Sequence, residues 1–380
     1  MQMAIDVAGF SPGEADQLRS AMGSKRSSEK MNHLKKRLFE GMFQRGISES
    51  VAEEIFNKLS AFASFGFPES HSAAFAYLVY ASAWFKYHYP AAFCAGLIRA
   101  QPMGFWSPQT LVSDAKRHGV MVLTPHVNNS DHRADLESMD NGGVALRIGI
   151  SSIRGIGKTL AEKISKSGPY GSIEHLARAV PMGTAKLEAL ATAGALDGLF
   201  SDDLSPDPLD TRRALWAAGP SSRYSEGVLP SMAVGATAPP LRPVGERERA
   251  YLQLWSYGVS PAGHPLEFER DDLAAKGVVL ARDLAGCSSG ARVKVAGVVT
   301  HRQRPATAKG TTFINLEDET GLINIVCSKG LWARYRSVAK LSPALIVSGR
   351  VETAGGVINV VAEKIERLAV KVRSSSRDFH

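Results

Sequence analysis

The sequence predicts a multidomain α+β protein, with a mostly helical N-terminal region followed by an all-β barrel at the C-terminus. Three observations lead to this class. The first hundred residues carry apolar side chains at helical spacing, and residues 290–372 form short runs that alternate between apolar and polar side chains. The chain has 380 residues, 44% of them hydrophobic, which is enough for two or three domains with a sizeable core.

Residues 1–105 are predicted to form one helical domain. Ser11, Pro12 and Glu14 resemble the start of a helix, with a capping hydroxyl, a proline at the first position and an acid in the first turn. Further helical patterns follow at residues 28–45 and 48–63. Residues 70–85 are apolar on almost every side, so we expect this helix to lie inside a domain.

Residues 141–200 are predicted to contain a tandem helix-hairpin-helix that binds DNA. The segment 153–159, Ile-Arg-Gly-Ile-Gly-Lys-Thr, precedes a helical pattern. Gly155, Gly157, Lys158 and Thr159 would offer backbone N–H groups and a positive charge to a phosphate. The phosphate loop of nucleotide hydrolases is excluded, because it needs four residues between its two glycines. A glycine-capped turn of purely structural role remains the alternative, although a second hairpin pattern at 187–196 favours the pair.

The other segments carry weaker patterns. Residues 106–140 are predicted to be a short mixed connecting segment. Residues 201–289 are predicted to hold a loop, a linker and one short helix at 246–255, and residues 373–380 a frayed tail.

Residues 290–372 are predicted to form an OB-fold barrel that binds nucleic acid. Five strand patterns and one helical pattern occur within about 80 residues. The segment 291–373 contains 14 basic and 6 acidic residues, so its net charge of +8 accounts for that of the whole chain. The candidate contacts are an aromatic ring among cations, the combination that binds single-stranded DNA: Arg302, Arg304, Lys309, Phe313, Arg334 and Arg336. A solvated charged face, with Phe313 packed in the core, is the alternative.

No catalytic or metal-binding pattern is visible. The acidic residues between 202 and 210 are expected in a solvated loop, and Glu317–Glu319 at the rim of a hairpin. The three cysteines are far apart in sequence, which argues against disulfides and cysteine-bound zinc. The sequence shows no secretory signal and no apolar stretch of about 18 residues, so we expect a cytoplasmic protein without a membrane partner.

Five blocks of the sequence together resemble a known family. They are ADQLRSAMGSKR (15–26), FGFPESHSAAFAYLVYASAWFKYHYPAAFCAGLIRAQPMGF (65–105), IRGIGKTLAEKI (153–164), LEALATAGALDGL (187–199) and THRQRPATAKGTTFINLEDETGLINIVC (300–327). In this order they resemble the C-terminal portion of bacterial C-family DNA polymerases, the replicase alpha-subunit family. The error-prone branch is the most similar.

The resemblance implies a role for each part. Residues 1–105 would be the fingers, in which Arg19, Lys25 and His71 bind the incoming dNTP. The tandem hairpins would hold primer-template DNA, and the OB domain the single-stranded template. The family carries an arginine pair where this chain has Arg19 followed by Ser20, so one expected cation is missing.

The resemblance also implies an enzyme that is incomplete in this chain. The palm, whose carboxylates hold Mg²⁺, would lie in an upstream chain or segment, so we expect no catalytic and no metal-binding residues here. The chain would then be inactive alone, as part of an error-prone polymerase for damage-tolerant (translesion) synthesis in DNA repair and replication. Protein partners in a mutagenic polymerase complex are implied as well. Two alternatives are a DNA-binding or assembly module without a nucleotide role, and an inactive truncated product.

Overall fold

A computed structural model describes residues 2–22, 27–64, 69–104, 106–200, 207–223, 235, 237–305, 308, 310–369 and 377–379. The chain divides into two compact units, Met1–Trp84 and Phe85–His380. Each unit has its own apolar core.

The first unit is helical. Its helices are α1 (Gln2–Ala8), α2 (Pro12–Met22), α3 (Ser27–Gln44), α4 (Glu49–Ser64) and most of α5 (Glu69–His88). Ser11 precedes α2 as the sequence indicates, since its hydroxyl accepts from the Glu14 N–H and its own N–H donates to the Glu14 carboxylate. Side chains such as Leu18, Leu38 and Met42 form the core between α1 and α4.

The predicted burial of the helix at 70–85 is wrong. Helix α5 exposes its large apolar side chains, and Tyr77 and Tyr80 are each 73% exposed. The described core of this unit consists of residues from α1 to α4 and the loop between α1 and α2, so this core forms without side chains of α5. A helix that is apolar on every side gains from burial only when neighbours cover all of its faces.

The second unit begins with helices and a small sheet around one core. The helices are α6 (Pro90–Arg99), α7 (Pro108–Arg117), α8 (Lys158–Ser167), α9 (Ile173–Ala179), α10 (Thr184–Thr192), α11 (Asp210–Ser221), α12 (Glu246–Tyr257) and α13 (Arg270–Ala275). Strands β1 (Val122–Leu123), β2 (Asp135–Ser138) and β3 (Val144–Arg147) form a sheet in the order β1-β3-β2. Helix α12 coincides with the predicted short helix, whereas α11 lies where only a loop and linker were expected. Ala214, Ala217 and Ala218 bury one side of α11 in the core.

The C-terminal part is the predicted OB-fold barrel. Its elements are β4 (Val278–Val279), β5 (Arg292–Gln303), β6 (Thr312–Glu317), β7 (Leu322–Cys327), α14 (Lys329–Leu341), β8 (Ala344–Ala354), β9 (Val357–Arg367) and β10 (Arg377–Phe379). Five of the strands follow the closed order β5-β6-β7-β9-β8, and β8 pairs again with β5. Closure leaves these five strands without a free edge, as expected for a barrel.

Side-chain alternation along each strand separates the core of the barrel from its outer surface. On β6, Ile314 and Leu316 are buried while Phe313 points outward. Glycine is required at position 349, where β8 pairs with β9, because a Cβ atom on Gly349 would lie 2.2 Å from the Val361 carbonyl oxygen. The tail, expected to fray, contributes β10, which pairs in parallel with residues 301–303 of β5.

Candidate nucleic-acid interface

The first predicted hairpin has the geometry of a phosphate-binding helix start. Gly155 has a positive φ of 84°, which a residue with a side chain rarely adopts, and it turns the chain into α8. Gly157 caps α8 in an extended conformation and provides no side-chain cap. The first N–H groups of α8 therefore remain available to an anion, and the positive end of the helix dipole favours one.

The cations at this hairpin come from α8, from α10 and from the turn before α8. Lys158 is exposed at the start of α8 and lies 3.7 Å from Glu162, and Thr159 is exposed beside it. Lys186 of α10 reaches back and donates to the Gly155 carbonyl. Arg154, directly before the turn, is exposed as well. Lys158 was predicted from the sequence, but Arg154 and Lys186 were not, since no local pattern links residue 186 to residue 155.

The second hairpin repeats the first. Gly183 caps α10 with φ −72° and ψ 163°, close to the −75° and 163° of Gly157, and again provides no side-chain cap. The sequence does contain a signal for this second helix start. Gly183 is followed by Thr184 and Lys186 within three positions, as Gly157 is followed by Lys158 and Thr159. Gly194, which lies within the predicted hairpin pattern at 187–196, instead follows the end of α10 with φ +73°.

Asp197 ties this hairpin to α11 and α12. Its carboxylate accepts a hydrogen bond from the Thr211 hydroxyl at 3.2 Å and lies 3.4 Å from Arg249. Burial raises the pKa of Asp197 to about 6, although the positive charge of Arg249 opposes that shift. Its place between three elements gives Asp197 a structural role in fixing the second hairpin.

Arg302 does not face solvent, and its assignment as a DNA contact is corrected. It is 5% exposed, and its Nε and Nη2 atoms donate to the carbonyls of Ala339 and Ser342 at 2.6 and 2.7 Å. These carbonyls belong to the end of α14, whose last turn has no intrahelical partners for its oxygens. The guanidinium therefore joins β5 to α14 inside the protein.

Arg304 and Phe313 are both exposed on the barrel. Phe313 is 37% exposed and pairs with Gln303 across β5 and β6, and Arg304 is the next residue after Gln303. Arg304 is exposed and makes no ion pair within the described part of the chain. An exposed ring can stack a base, and an exposed guanidinium can neutralise a phosphate.

The remaining barrel candidates lie on α14 or outside the described residues. Arg334 and Arg336 are exposed, without an ion pair to any described carboxylate, and the Arg334 guanidinium lies 5.4 Å from the centre of the Tyr335 ring. Among the described contacts, none joins these two arginines to Phe313. Lys309 lies outside the described residues.

The acidic triplet 317–319 lies in the β6–β7 hairpin, as expected, but it is not solvated. Glu317 accepts from the Thr110 hydroxyl at 2.9 Å and lies 3.4 Å from Arg117, both of which belong to α7. Asp318 is fully buried and accepts from three groups of Thr320 and Gly321, while Glu319 pairs with Arg270. Burial raises the pKa of Glu317. The triplet thus fixes the barrel to the helical part of the second unit.

The proposed dNTP contacts belong to the first unit. Arg19 lies on α2, where its guanidinium pairs with Asp16 at 2.9 Å. His71 lies exposed on α5, with its ring centre 4.5 Å from that of Phe75. Lys25 lies outside the described residues.

The described residues do not fit a Mg²⁺ site. No group of three or more His, Cys, Asp or Glu side chains among them is placed to hold a metal ion. In the acidic segment, Asp207 and Asp210 both pair with Arg213. No described helix is both long and apolar enough to cross a membrane.

Three family models match the chain in the order of its parts. Residues 1–46 match the bacterial DNA polymerase III alpha subunit finger domain, residues 119–203 the helix-hairpin-helix motif, and residues 293–368 the OB-fold nucleic acid binding domain.

Curated relatives match over the full length of this chain. An error-prone DNA polymerase from Nocardia farcinica is 53% identical and one from Mycobacterium bovis 50% identical, each over 100% of this chain. The chain spans only 33% and 34% of those relatives. Among solved structures, an asparaginyl-tRNA synthetase from Pyrococcus horikoshii is 24% identical over 26% of this chain and 23% of its own, with a TM-score of 0.22. That similarity is too low to bear on function.

Proposed function

Because the chain belongs to the family of bacterial error-prone DNA polymerases, we propose that it is the part of such an enzyme that holds DNA and positions the incoming nucleotide. The nucleotidyl transfer itself would be carried out by palm carboxylates, with Mg²⁺, in a separate segment or chain. The setting would be damage-tolerant synthesis in the bacterial cytoplasm, together with protein partners of a mutagenic polymerase complex.

One observation supports DNA binding above the others. Within the second unit, two uncapped helix starts at Gly157 and Gly183 occur together with exposed arginines on the barrel. Uncapped helix N-termini bind phosphates without reference to sequence, as a polymerase must. Phe313 and Arg304, both exposed on the barrel, would supply the stacking and the charge that a single strand needs.

We therefore expect the full chain to bind labelled primer-template DNA with an affinity that falls steeply as salt rises. The logarithm of the affinity should decrease linearly with log salt, by about 0.9 per neutralised phosphate of duplex and about 0.7 for single strands. Replacing Arg304 with Ala should weaken binding of a single strand and reduce this slope by about one. Fluorescence anisotropy across a salt series measures both quantities.

Arg350→Ala is the matched control for Arg304→Ala. It removes the same charge from the barrel, but Arg350 already pairs with Glu363 at 2.6 Å. Its effect on DNA binding should be smaller. Equal losses in the two variants would show that only overall charge matters, and absence of binding by the wild-type chain would contradict the proposal.

The nucleotide role separates this proposal from an assembly module. In the structure Arg19 pairs with Asp16, and this exposed pair contributes little to stability, so a triphosphate can displace it. We expect a dNTP to bind only when primer-template DNA and a palm-containing segment are both present. Arg19→Ala should then weaken dNTP binding at least tenfold, because a charge-assisted contact to phosphate is lost.

The measurement is dNTP titration of the ternary complex with fluorescent DNA. Lys58→Ala, in the exposed pair with Glu54 on α4, is the control from the same unit. If Arg19→Ala and Lys58→Ala bind dNTP equally well, the nucleotide role is wrong and the assembly module is favoured. Failure of the wild-type chain to support any dNTP binding would favour the inactive product.

A further inference from the structure

A cleft of about 390 Å³ lies between the helical part of the second unit and the barrel. The start of α7, the segment before the first hairpin, the end of α12 and the middle of β5 form its walls. It therefore lies between the two parts of the chain to which the proposed function assigns DNA.

An arginine and a tryptophan form one wall of this cleft. The Arg154 guanidinium lies 5.2 Å from the ring centre of Trp255, and Trp255 is 46% exposed. The backbone keeps them in register, because the Arg154 N–H donates to the Ser256 carbonyl at 2.8 Å. The exposed ring surface suits a stacked base, and the adjacent guanidinium suits its phosphate.

The rest of the lining carries hydroxyl groups and little charge. Ser107, Ser152 and Thr300 line the cleft. Glu317 lines it too, but its carboxylate is already engaged by Thr110 and Arg117. His264 is neutral at pH 7, because burial lowers its pKa to about 4. Small hydroxyls can donate to or accept from the edge of any base.

The charge decides which ligand the cleft can take. Arg154 is the one permanently charged cation among the described residues that line it. A free nucleoside triphosphate needs several cations or a metal ion around its phosphates, which this cleft lacks. A single nucleotide within a strand carries one phosphate, which one guanidinium can neutralise.

Resting on the proposed function, we infer that this cleft holds one unstacked nucleotide of the single-stranded template between the hairpins and the barrel. Its base stacks on Trp255, and Arg154, next to the Gly155 turn, contacts its phosphate. The strand then continues towards Phe313 and Arg304 on the barrel.

Primer-template DNA with one 2-aminopurine, a fluorescent adenine analogue, tests this inference in the full chain. The analogue is placed at successive positions of the template overhang, one position per DNA. Its emission changes when it leaves the base stack and contacts an indole ring. We expect a distinct change at one overhang position with wild-type protein, which Trp255→Ala abolishes and Trp255→Phe retains.

Affinity gives the second measurement. Trp255→Ala should bind overhang DNA about tenfold more weakly, the loss of one base–aromatic stack, and blunt duplex with unchanged affinity. Trp216→Ala is the matched control, since Trp216 is 48% exposed on α11 and does not line the cleft. Its profile should equal that of the wild type.

If Trp255→Ala and Trp216→Ala give the same emission profile and the same affinities as the wild type, the cleft holds no template base, while the proposed DNA binding stands. If the wild-type chain binds neither blunt duplex nor overhang DNA, both proposals are wrong.

Discussion

Replacing Arg302 with Ala is expected to destabilise the C-terminal barrel by about 3 kcal/mol. The guanidinium satisfies the carbonyls of Ala339 and Ser342 at 2.6 and 2.7 Å in a buried place, and each acceptor left without a partner costs about 1–3 kcal/mol. Hydrogen–deuterium exchange of β5 and α14 in the full chain measures this loss segment by segment. Protection should fall in both elements together, because Arg302 joins them.

Arg304→Ala separates stability from DNA binding. Arg304 is exposed and unpaired among the described residues, so its loss should change stability by no more than about 0.5 kcal/mol while weakening the binding of single strands. Arg302→Lys adds a further test, because an ammonium cannot reproduce the fork of the guanidinium towards two carbonyls. Full barrel stability in Arg302→Ala, accompanied by weaker DNA binding, would contradict the structural role and return Arg302 to the DNA interface.

Replacing Arg117 with Met is expected to cost about 3 kcal/mol and to loosen the barrel from the helical part of the second unit. The change leaves the Glu317 carboxylate, whose side chain is 3% exposed, buried without its counter-charge. Glu317→Gln in the Arg117→Met background should recover most of the loss, because the amide oxygen still accepts from Thr110 and carries no charge. A double-mutant cycle on thermal unfolding measures the coupling.

The pH dependence of the same contact has a defined sign. The pKa of Glu317 is raised by burial, so the folded protein binds this proton more tightly than the unfolded chain. Its contribution to stability is therefore largest below the ordinary glutamate value of 4.5 and decreases as the pH rises through the raised pKa. Glu317→Gln should remove this part of the pH dependence.

Arg350→Met is the control for Arg117→Met. Its pair with Glu363 is largely exposed, and such pairs contribute only about 0–1 kcal/mol. If Arg117→Met is no more destabilising than this control, Glu317 does not depend on Arg117, and the anchoring role of the acidic triplet is wrong.

Two wrong predictions of exposure share one cause. Glu317–Glu319 was placed correctly in the β6–β7 hairpin but was expected in solvent, and residues 70–85 were recognised as an apolar helix but expected inside a domain. In both cases the local pattern predicted the element, but its exposure depended on whether distant residues pack against it, as they do for Glu317 and do not for most of α5. Arg154 and Trp255 were not predicted as site residues, because they are 101 positions apart in the sequence and come together only in the fold.

The sequence by itself determined the elements whose causes lie within a few residues. Ser11 and Glu14 start α2, Gly155 and Gly157 form the turn into α8, and alternation from residue 312 to 316 divides β6 into an inner and an outer face. Capping, positive φ and strand periodicity are local properties, so they can be predicted from the sequence alone. The positive net charge of the barrel also follows from the sequence alone, by counting its charged residues.

Only the tertiary structure decided which charges face solvent and which hold the fold together. Arg302 lies near the end of β5 and Arg304 directly follows that strand, yet Arg302 bonds to the end of α14 while Arg304 remains exposed. Glu317 accepts a hydrogen bond from the hydroxyl of Thr110, which lies 207 positions earlier in the chain. The energy of a charged side chain depends on its burial and its partners, and chain closure brings those partners from far away in the sequence.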